Sequence, residues 1–197
     1  MKTPKLVGSH RVLIPMKWNK TLISQGFSDK ISGEISEFTL FHSPSVCQIV
    51  FGLTRKDEVI AIKQFRHGVA VFQDTHNDNP FVLELPGGGP NPSERYEDAA
   101  TREFIEETGY RGSRLLLLSN GIWHDPSCST LRSIPWLTTD CDEVFKQHTD
   151  PEENIEVLLI PIQKWVDMIF SGQIIDSRTI AVTMLALPHI DTLRSTI

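Results

Sequence analysis

Three consecutive glycines, Gly87, Gly88 and Gly89, stand between Pro86 and Pro90 and separate a short apolar run, Phe81–Leu85, from a long segment of helical periodicity. Proline has no amide hydrogen and glycine has no side chain, so residues 86–90 read as a loop rather than as part of either neighbour. The chain here must run strand, tight loop, helix. The helix is expected from about Glu94–Tyr96 to Thr108, with Gly109 as the residue that ends it.

The composition of that helix is unusual for its geometry. At about 100° per residue, Tyr96, Ala99, Ala100 and Phe104 form an apolar stripe. Glu103 and Glu107 fall inside the same stripe, one turn and roughly 6 Å apart along the axis. Helices ordinarily keep carboxylates on the opposite face. Two ionised carboxylates facing inward repel each other and lose hydration. A divalent cation resolves both problems, and hard oxygen ligands suit magnesium or manganese. Glu106 adds to the negative cluster. The competing reading is a solvated acidic helix whose glutamates pair with Arg95 and Arg102. The glycine loop favours the first, because glycine lets backbone N–H and C=O groups approach a ligand.

The rest of the chain reads as a mixed sheet with helices packed on it. Residues 1 to about 45 carry three strand-like segments around Val12-Leu13-Ile14, Thr21-Leu22-Ile23 and Phe38-Thr39-Leu40. Val46–Leu53 and Glu58–Phe65 read as partner strands across a turn at Arg55-Lys56-Asp57. Val69–Asn79 reads as a loop, and residues 67–80 as a candidate lid or specificity loop. Arg114–Leu118, Ser133–Leu137 and Ile155–Ile160 are further strands, with Thr138–Asn154 a polar loop. Pro161 opens a helix over Ile162–Phe170, closed by Gly172. Asp176 or Ser177 caps a last helix that Pro188 should stop.

A net charge of -6 gives no basic footprint for nucleic acid. It also means that an anionic substrate needs a cation to screen it locally. Cys47, Cys128 and Cys141 show no CxxC pair, so neither a zinc site nor a disulfide framework is signalled. The N-terminus lacks an apolar signal region, and the longest apolar runs are far too short to span a bilayer. The expectation is a cytoplasmic protein with no membrane partner.

Gly88, five residues, Glu94, seven residues, then Arg102-Glu103-Phe104-Ile105-Glu106-Glu107-Thr108-Gly109-Tyr110 resembles the complete Nudix box. Further residues are similar to the ADP-ribose pyrophosphatase branch of that superfamily: Gln64-Phe65-Arg66 before Glu84-Leu85-Pro86-Gly87-Gly88, Pro126 sixteen residues after Tyr110, Glu152–Val157, and the tail from Pro161 to Thr179. The resemblance implies a Nudix-type α/β/α sandwich, with a mixed central sheet and helices on both sides. It implies an N-terminal element over residues 1–44 that serves a homodimer, and a hydrolase domain over 45–197.

The implied activity is metal-dependent cleavage of the diphosphate of a nucleoside diphosphate linked to another moiety, with ADP-ribose giving AMP and ribose 5-phosphate. Another nucleotide sugar, or a non-catalytic binding module on the same fold, is the alternative. Glu103, Glu107, Glu153 and the Gly87 carbonyl would hold Mg2+, or Mn2+ in its place. Glu106 would be a ligand or orient water, and Glu153 or Glu152 would act as base. Arg66 would contact the substrate. Arg102 would orient a neighbouring carboxylate, and Glu94 would tie loop to helix. Glu84 would either bind substrate or brace the loop. Trp123 would stack on a base or pack, and His124 beside Asp125 would be a catalytic pair or solvated. The branch's usual alanine after Leu-Pro is Gly87 here, which is expected to leave the carbonyl in place and loosen the loop.

Overall fold

The computed structural model describes residues 3–71, 80–147 and 154–195. They divide into two compact units, one comprising residues 3–46 and 123–132, the other the described residues within 47–122 and 133–195.

The first unit is a three-stranded antiparallel sheet in the order β1 (Lys5–Pro15), β2 (Thr21–Ser28), β3 (Ile35–His42). A single 3-10 turn at Lys17–Asn19 joins β1 to β2. The Asp29 carboxylate accepts the amides of Ile31 and Ser32 and so shapes the β2–β3 turn. Residues 123–132 dock on β3 through Phe41, whose N–H donates to Cys128 O and whose carbonyl accepts from Thr130 N–H, both at 2.9 Å.

The second unit is built on a mixed sheet. Its strands are β4 (Cys47–Thr54), β5 (Glu58–Phe65), β6 (Phe81–Glu84), β7 (Tyr110–Arg111), β8 (Leu115–Leu117), β10 (Arg132–Glu143) and β11 (Ile155–Pro161). The two-residue strand β9 (Ile122–Trp123) lies where the chain passes between units. The order is β11-β5-β4-β10-β7, with β6 also on β5 and β8 also on β10. β10 runs parallel to β4, and the other pairings within this unit are antiparallel.

The helices are α1 (His67–Val71), α2 (Tyr96–Thr108), α3 (Ile162–Phe170) and α4 (Ser177–Ser195). They cover both faces of the sheet, as the alternation of β4 shows. Ile49, Phe51 and Leu53 join Trp165, Val182 and Ala186 of α3 and α4 in the buried core. Gly52 points the other way, where a Cβ would run into the Phe104 ring of α2. The missing side chain lets that ring lie directly on the sheet.

Several local expectations are corrected. Residues 67–71 form the short helix α1, and residues 72–79 of the candidate lid lie outside the described set. Thr138–Glu143 continue β10, because Asp142 and Glu143 find partners in Arg111 and Tyr110. Tyr96 is 42% exposed, so the inward stripe of α2 begins at Ala99. Pro161 caps α3 rather than occupying its first turn. Asp176 is the cap of α4, its Oδ2 accepting Thr179 N–H at 2.9 Å. Pro188 does not stop that helix. Thr179, Val182, Thr183, Ala186 and Ile190 make one buried face, and burial of Ile190 beyond the proline offsets the lost backbone hydrogen bond. Among the described residues no helix is long and apolar enough to cross a membrane.

Trp165 is fully buried and its indole N–H donates to Thr183 Oγ1 at 3.0 Å. Thr183→Val keeps the shape and removes the acceptor. It should lower the unfolding free energy by about 1–3 kcal/mol in urea titration. Unchanged stability would show that the buried indole does not need this partner.

Candidate active site

The loop after β6 is held residue by residue. Leu85 N–H donates to Thr179 Oγ1 (3.0 Å), and Pro86 O accepts from Val50 N–H (3.0 Å). Gly87 N–H donates to Glu107 Oε2 (2.7 Å), Gly88 O accepts from Gln48 N–H (2.7 Å), and Gly89 O accepts from Arg102 Nη2 (3.0 Å). Of the four carbonyls from Pro86 to Gly89, that of Gly87 alone accepts no hydrogen bond among the described residues. The expected loosening from glycine at 87 is therefore corrected. A Cβ there would collide with the Gln48 carbonyl and lie 2.9 Å from Ile49 Cα, so glycine permits the loop to lie against β4. A Cβ on Gly88 would overlap the Glu103 carboxylate in the same way.

Glu107 is 6% exposed and is turned toward this loop from the buried face of α2. Glu103 sits one turn earlier, against Gly88. Arg102 organises the acidic groups on its flank. Its Nε and Nη2 grip both oxygens of Glu94 at 2.9 and 3.0 Å, and its Nη1 reaches Glu103 Oε1 and Glu106 Oε2, both at 2.9 Å. Glu94 also accepts Asn91 N–H at 2.7 Å, so it ties loop to helix. The Arg102 hydrogen bonds, then that amide, hold the Glu94 carboxyl below the usual range. The Arg102 guanidinium is in turn held charged, chiefly by Glu94. Arg95 pairs with Glu97, away from these carboxylates. The helix stops cleanly at Thr108 because Gly109, at φ 79°, takes the left-handed conformation.

Upstream, Glu84 is 3% exposed and is gripped by Arg66 through both of its oxygens. Gln64 Nε2 (3.4 Å) and Arg178 Nη2 (3.3 Å) also reach Glu84 Oε2. Arg66 thus touches the loop-bracing glutamate, with 38% of its side chain exposed. Trp123 belongs to the first unit, where it is exposed and Arg132 lies over its ring at 5.9 Å. In that unit Asp125 accepts from Ser127 and Cys128 and shapes a turn beside His124. Glu152 and Glu153 lie outside the described residues. Cys47 senses the charges of Arg178, Glu107 and Glu103. Burial pushes its thiol up to about 11.

The structure thus gathers Gly87, Glu103 and Glu107, with Glu106 joined to them through Arg102. Arg66 and Glu84 meet just before the loop. Among the described residues, no three or more His, Cys, Asp or Glu side chains are grouped so as to hold a metal. The oxygens that border the glycine loop are hard donors: the Glu107 carboxylate on Gly87 N–H, the Glu103 carboxylate against Gly88, and the Gly87 carbonyl with its open acceptor. That set fits Mg2+ or Mn2+ in chemistry. The residues missed from the sequence are Arg178 and Thr179, together with the contact of Gln64 to Glu84. The pattern Asp176-x-Arg178-Thr179 at a helix start was visible, but nothing local says that it meets Glu84.

A family model described as the NUDIX domain matches residues 43–171. The chain is similar to a protein of Bacillus subtilis (strain 168) called ADP-ribose pyrophosphatase, 22% identical over 149 residues and 75% of each chain. It is also similar to one of Haemophilus influenzae with the same name, 30% identical over 100 residues, which cover 51% of this chain and 45% of that one. A solved structure of an ADP compounds hydrolase superposes with a TM-score of 0.79 at 15% identity, covering 98% of this chain and 97% of that one. The likeness is one of fold, and it agrees with a mixed sheet carrying helices on both faces.

Gly87→Ala tests the close approach of loop to strand. Overlap with the β4 backbone should cost about 1–3 kcal/mol of stability, seen as a lower melting temperature. A variant that melts with the wild type would show that the loop can draw back from β4 at no cost.

Proposed function

This chain belongs to the Nudix family and is a Nudix hydrolase, and from that premise we propose that it cleaves ADP-ribose to AMP and ribose 5-phosphate in a reaction that requires Mg2+, with Mn2+ as a substitute. The observation that carries the metal site is the pair Glu103 and Glu107 facing a glycine backbone whose Gly87 carbonyl is open. The choice of substrate is supported by the names of the two curated relatives.

A diphosphate resists attack because its own charge repels nucleophiles. The metal, held by Glu103, Glu107, the Gly87 carbonyl and Glu153, would supply charge that neutralises the diphosphate and makes an attacking water more acidic. The protein's own groups do the rest. The Gly87 N–H fixes the orientation of Glu107. Arg102 fixes Glu103 and Glu106, so three carboxylates hold their places before substrate arrives. Glu106 orients water. Glu153, or Glu152 in its place, removes the proton from that water. Arg66, anchored on Glu84, presents its remaining surface to the diphosphate or ribose.

Glu107→Gln should lower turnover by roughly two orders of magnitude or more with the melting curve retained. Wild-type activity should vanish with chelator and return with magnesium. Near-normal turnover by the variant, or chelator-resistant hydrolysis, would overturn the metal site. A panel of ADP-ribose, other ADP-linked diphosphates and non-adenine nucleotide sugars, scored by phosphomonoester release, decides the substrate. Preference for a non-adenine sugar nucleotide would refute ADP-ribose.

The first unit is assigned to homodimer formation. Its sheet exposes Leu6, Val12, Ile14, Ile35 and Phe38, which a second copy would bury. Sedimentation at the monomer mass across micromolar concentrations would contradict this.

A further inference from the structure

The N-terminal turn of α4 grips the two residues that lead into the glycine loop. The Arg178 guanidinium, about three-quarters buried, reaches Glu84 Oε2 through Nη2 at 3.3 Å and Asp176 Oδ1 through Nε at 2.9 Å. One residue on, Thr179 Oγ1 accepts the Leu85 N–H at 3.0 Å. Asp176 holds both ends of this device, because its Oδ2 accepts the Thr179 amide. Burial alone would raise the Asp176 carboxyl, but the charge of Arg178 and the Thr179 amide hold it below its usual value. Glu84 is thus shared by two arginines from different elements, Arg66 at the end of β5 and Arg178 on α4.

This clamp matters because it sits at the entrance to the glycine loop. Leu85 is two residues before Gly87, and Pro86 between them is bonded to β4. Residues 84 and 85 set the direction in which the chain enters the loop. With the β4 amides of Val50 and Gln48, which hold Pro86 O and Gly88 O, that direction bears on where the Gly87 carbonyl points and on the meeting of the Gly87 N–H with Glu107. Glu107 and Arg102 of α2 bond Gly87 and Gly89, downstream of Pro86, while the clamp holds Glu84 and Leu85 upstream of it.

We propose that Arg178 and Thr179, with Asp176 holding both, are positioning residues that aim the Gly87 carbonyl and Glu107 at the metal. This rests on the proposed function, in which that carbonyl and that carboxylate are ligands. Arg178 and Thr179 touch neither metal nor substrate in this scheme. They act through Glu84 and Leu85. Outer contacts of this kind typically contribute roughly 10–100-fold to metal affinity or activity.

The test uses the full chain. Arg178→Met, Arg178→Lys, Thr179→Val and Thr179→Ser are compared with wild type and with Thr183→Val, a core change in the same helix. Three quantities are read: Mn2+ affinity by electron paramagnetic resonance without substrate, the Mg2+ concentration for half-maximal hydrolysis, and the melting temperature. Arg178→Met and Thr179→Val should weaken Mn2+ binding and raise the Mg2+ requirement by roughly tenfold or more. Thr179→Ser keeps the acceptor and should bind as wild type. Arg178→Lys keeps the charge without the fork and should fall between. Thr183→Val should melt earlier with unchanged metal affinity.

Metal affinity within about twofold of wild type in folded Arg178→Met and Thr179→Val overturns the proposal, against the tenfold expected of an outer contact. An equal loss in Thr183→Val also overturns it, since general destabilisation then suffices. Should Arg178→Met not fold, Arg178→Lys and Thr179→Val decide alone. A wild-type protein that binds no Mn2+ and hydrolyses without metal overturns both this inference and the metal site. A wild type that binds metal beside unaffected variants overturns this inference only.

Discussion

The amides of Gln48 and Val50 decide where the site sits. β4 is central and buried on both faces, yet it pairs with β5 only at Gly52 and Leu53. Beyond that point β5 turns to β6, and the edge of β4 would be left with unmet donors. Each buried N–H without a partner costs about 1–3 kcal/mol. The Pro86 and Gly88 carbonyls meet these two donors. A loop that must do this lies within contact of another backbone, which is why a side chain at Gly87 is excluded. The sheet thus supplies the wall, and the loop's spare N–H at Gly87 is left for α2 to meet.

The same constraint explains the inward carboxylate of that helix. Glu107 occupies a position that an apolar residue would normally take, and it is tolerated because the Gly87 N–H meets it at 2.7 Å. Phe104 on the neighbouring turn anchors the helix to Gly52, so the distance from helix to loop is set by packing rather than by charge. Arg102 then places Glu94, Glu103 and Glu106 in one hydrogen-bonded set. A lysine could not do this, since a single ammonium lacks the fork that spans three carboxylates. Packing brings the acidic face to the loop, and hydrogen bonds fix its details.

How much was legible in the sequence depends on how local each cause is. The limits of α2 were readable because its stop is one glycine at a left-handed position. The resemblance implied that Glu94 ties loop to helix, and the structure supplies the partner, Arg102, eight residues on. Strands β4, β5, β6 and β11 were readable from continuous apolar runs. The end of β10 was not, since Asp140, Asp142 and Glu143 look like loop residues until Tyr110 and Arg111 pair with the last two. Tyr96 misled because a helical wheel shows which face a residue shares, not whether that face is covered at its end. Pro188 misled because the rule for proline is local, while the burial of Ile190 depends on the whole core. Glu84 was seen, but its second arginine was not, because 94 residues separate Glu84 from Arg178.

That separation bears on how such a site can form. The box from Gly88 to Tyr110 contains most of the chemistry, yet the Gly87 backbone beside it hangs from residues that the last helix holds. α4 in turn stays in place through Val182, Ala186 and Ile190 in the same core as Ile49 and Phe51 of β4. The strand that accepts the loop and the helix that grips its entrance are therefore packed against each other. A disturbance of that core moves both supports of the Gly87 segment together and leaves the Arg102 network, which is local to α2 and its entry loop, largely intact. Arg102 thus orders Glu94, Glu103 and Glu106 within α2 and its entry loop, while Glu107 and the Gly87 carbonyl, joined through the Gly87 N–H, depend on the folded core.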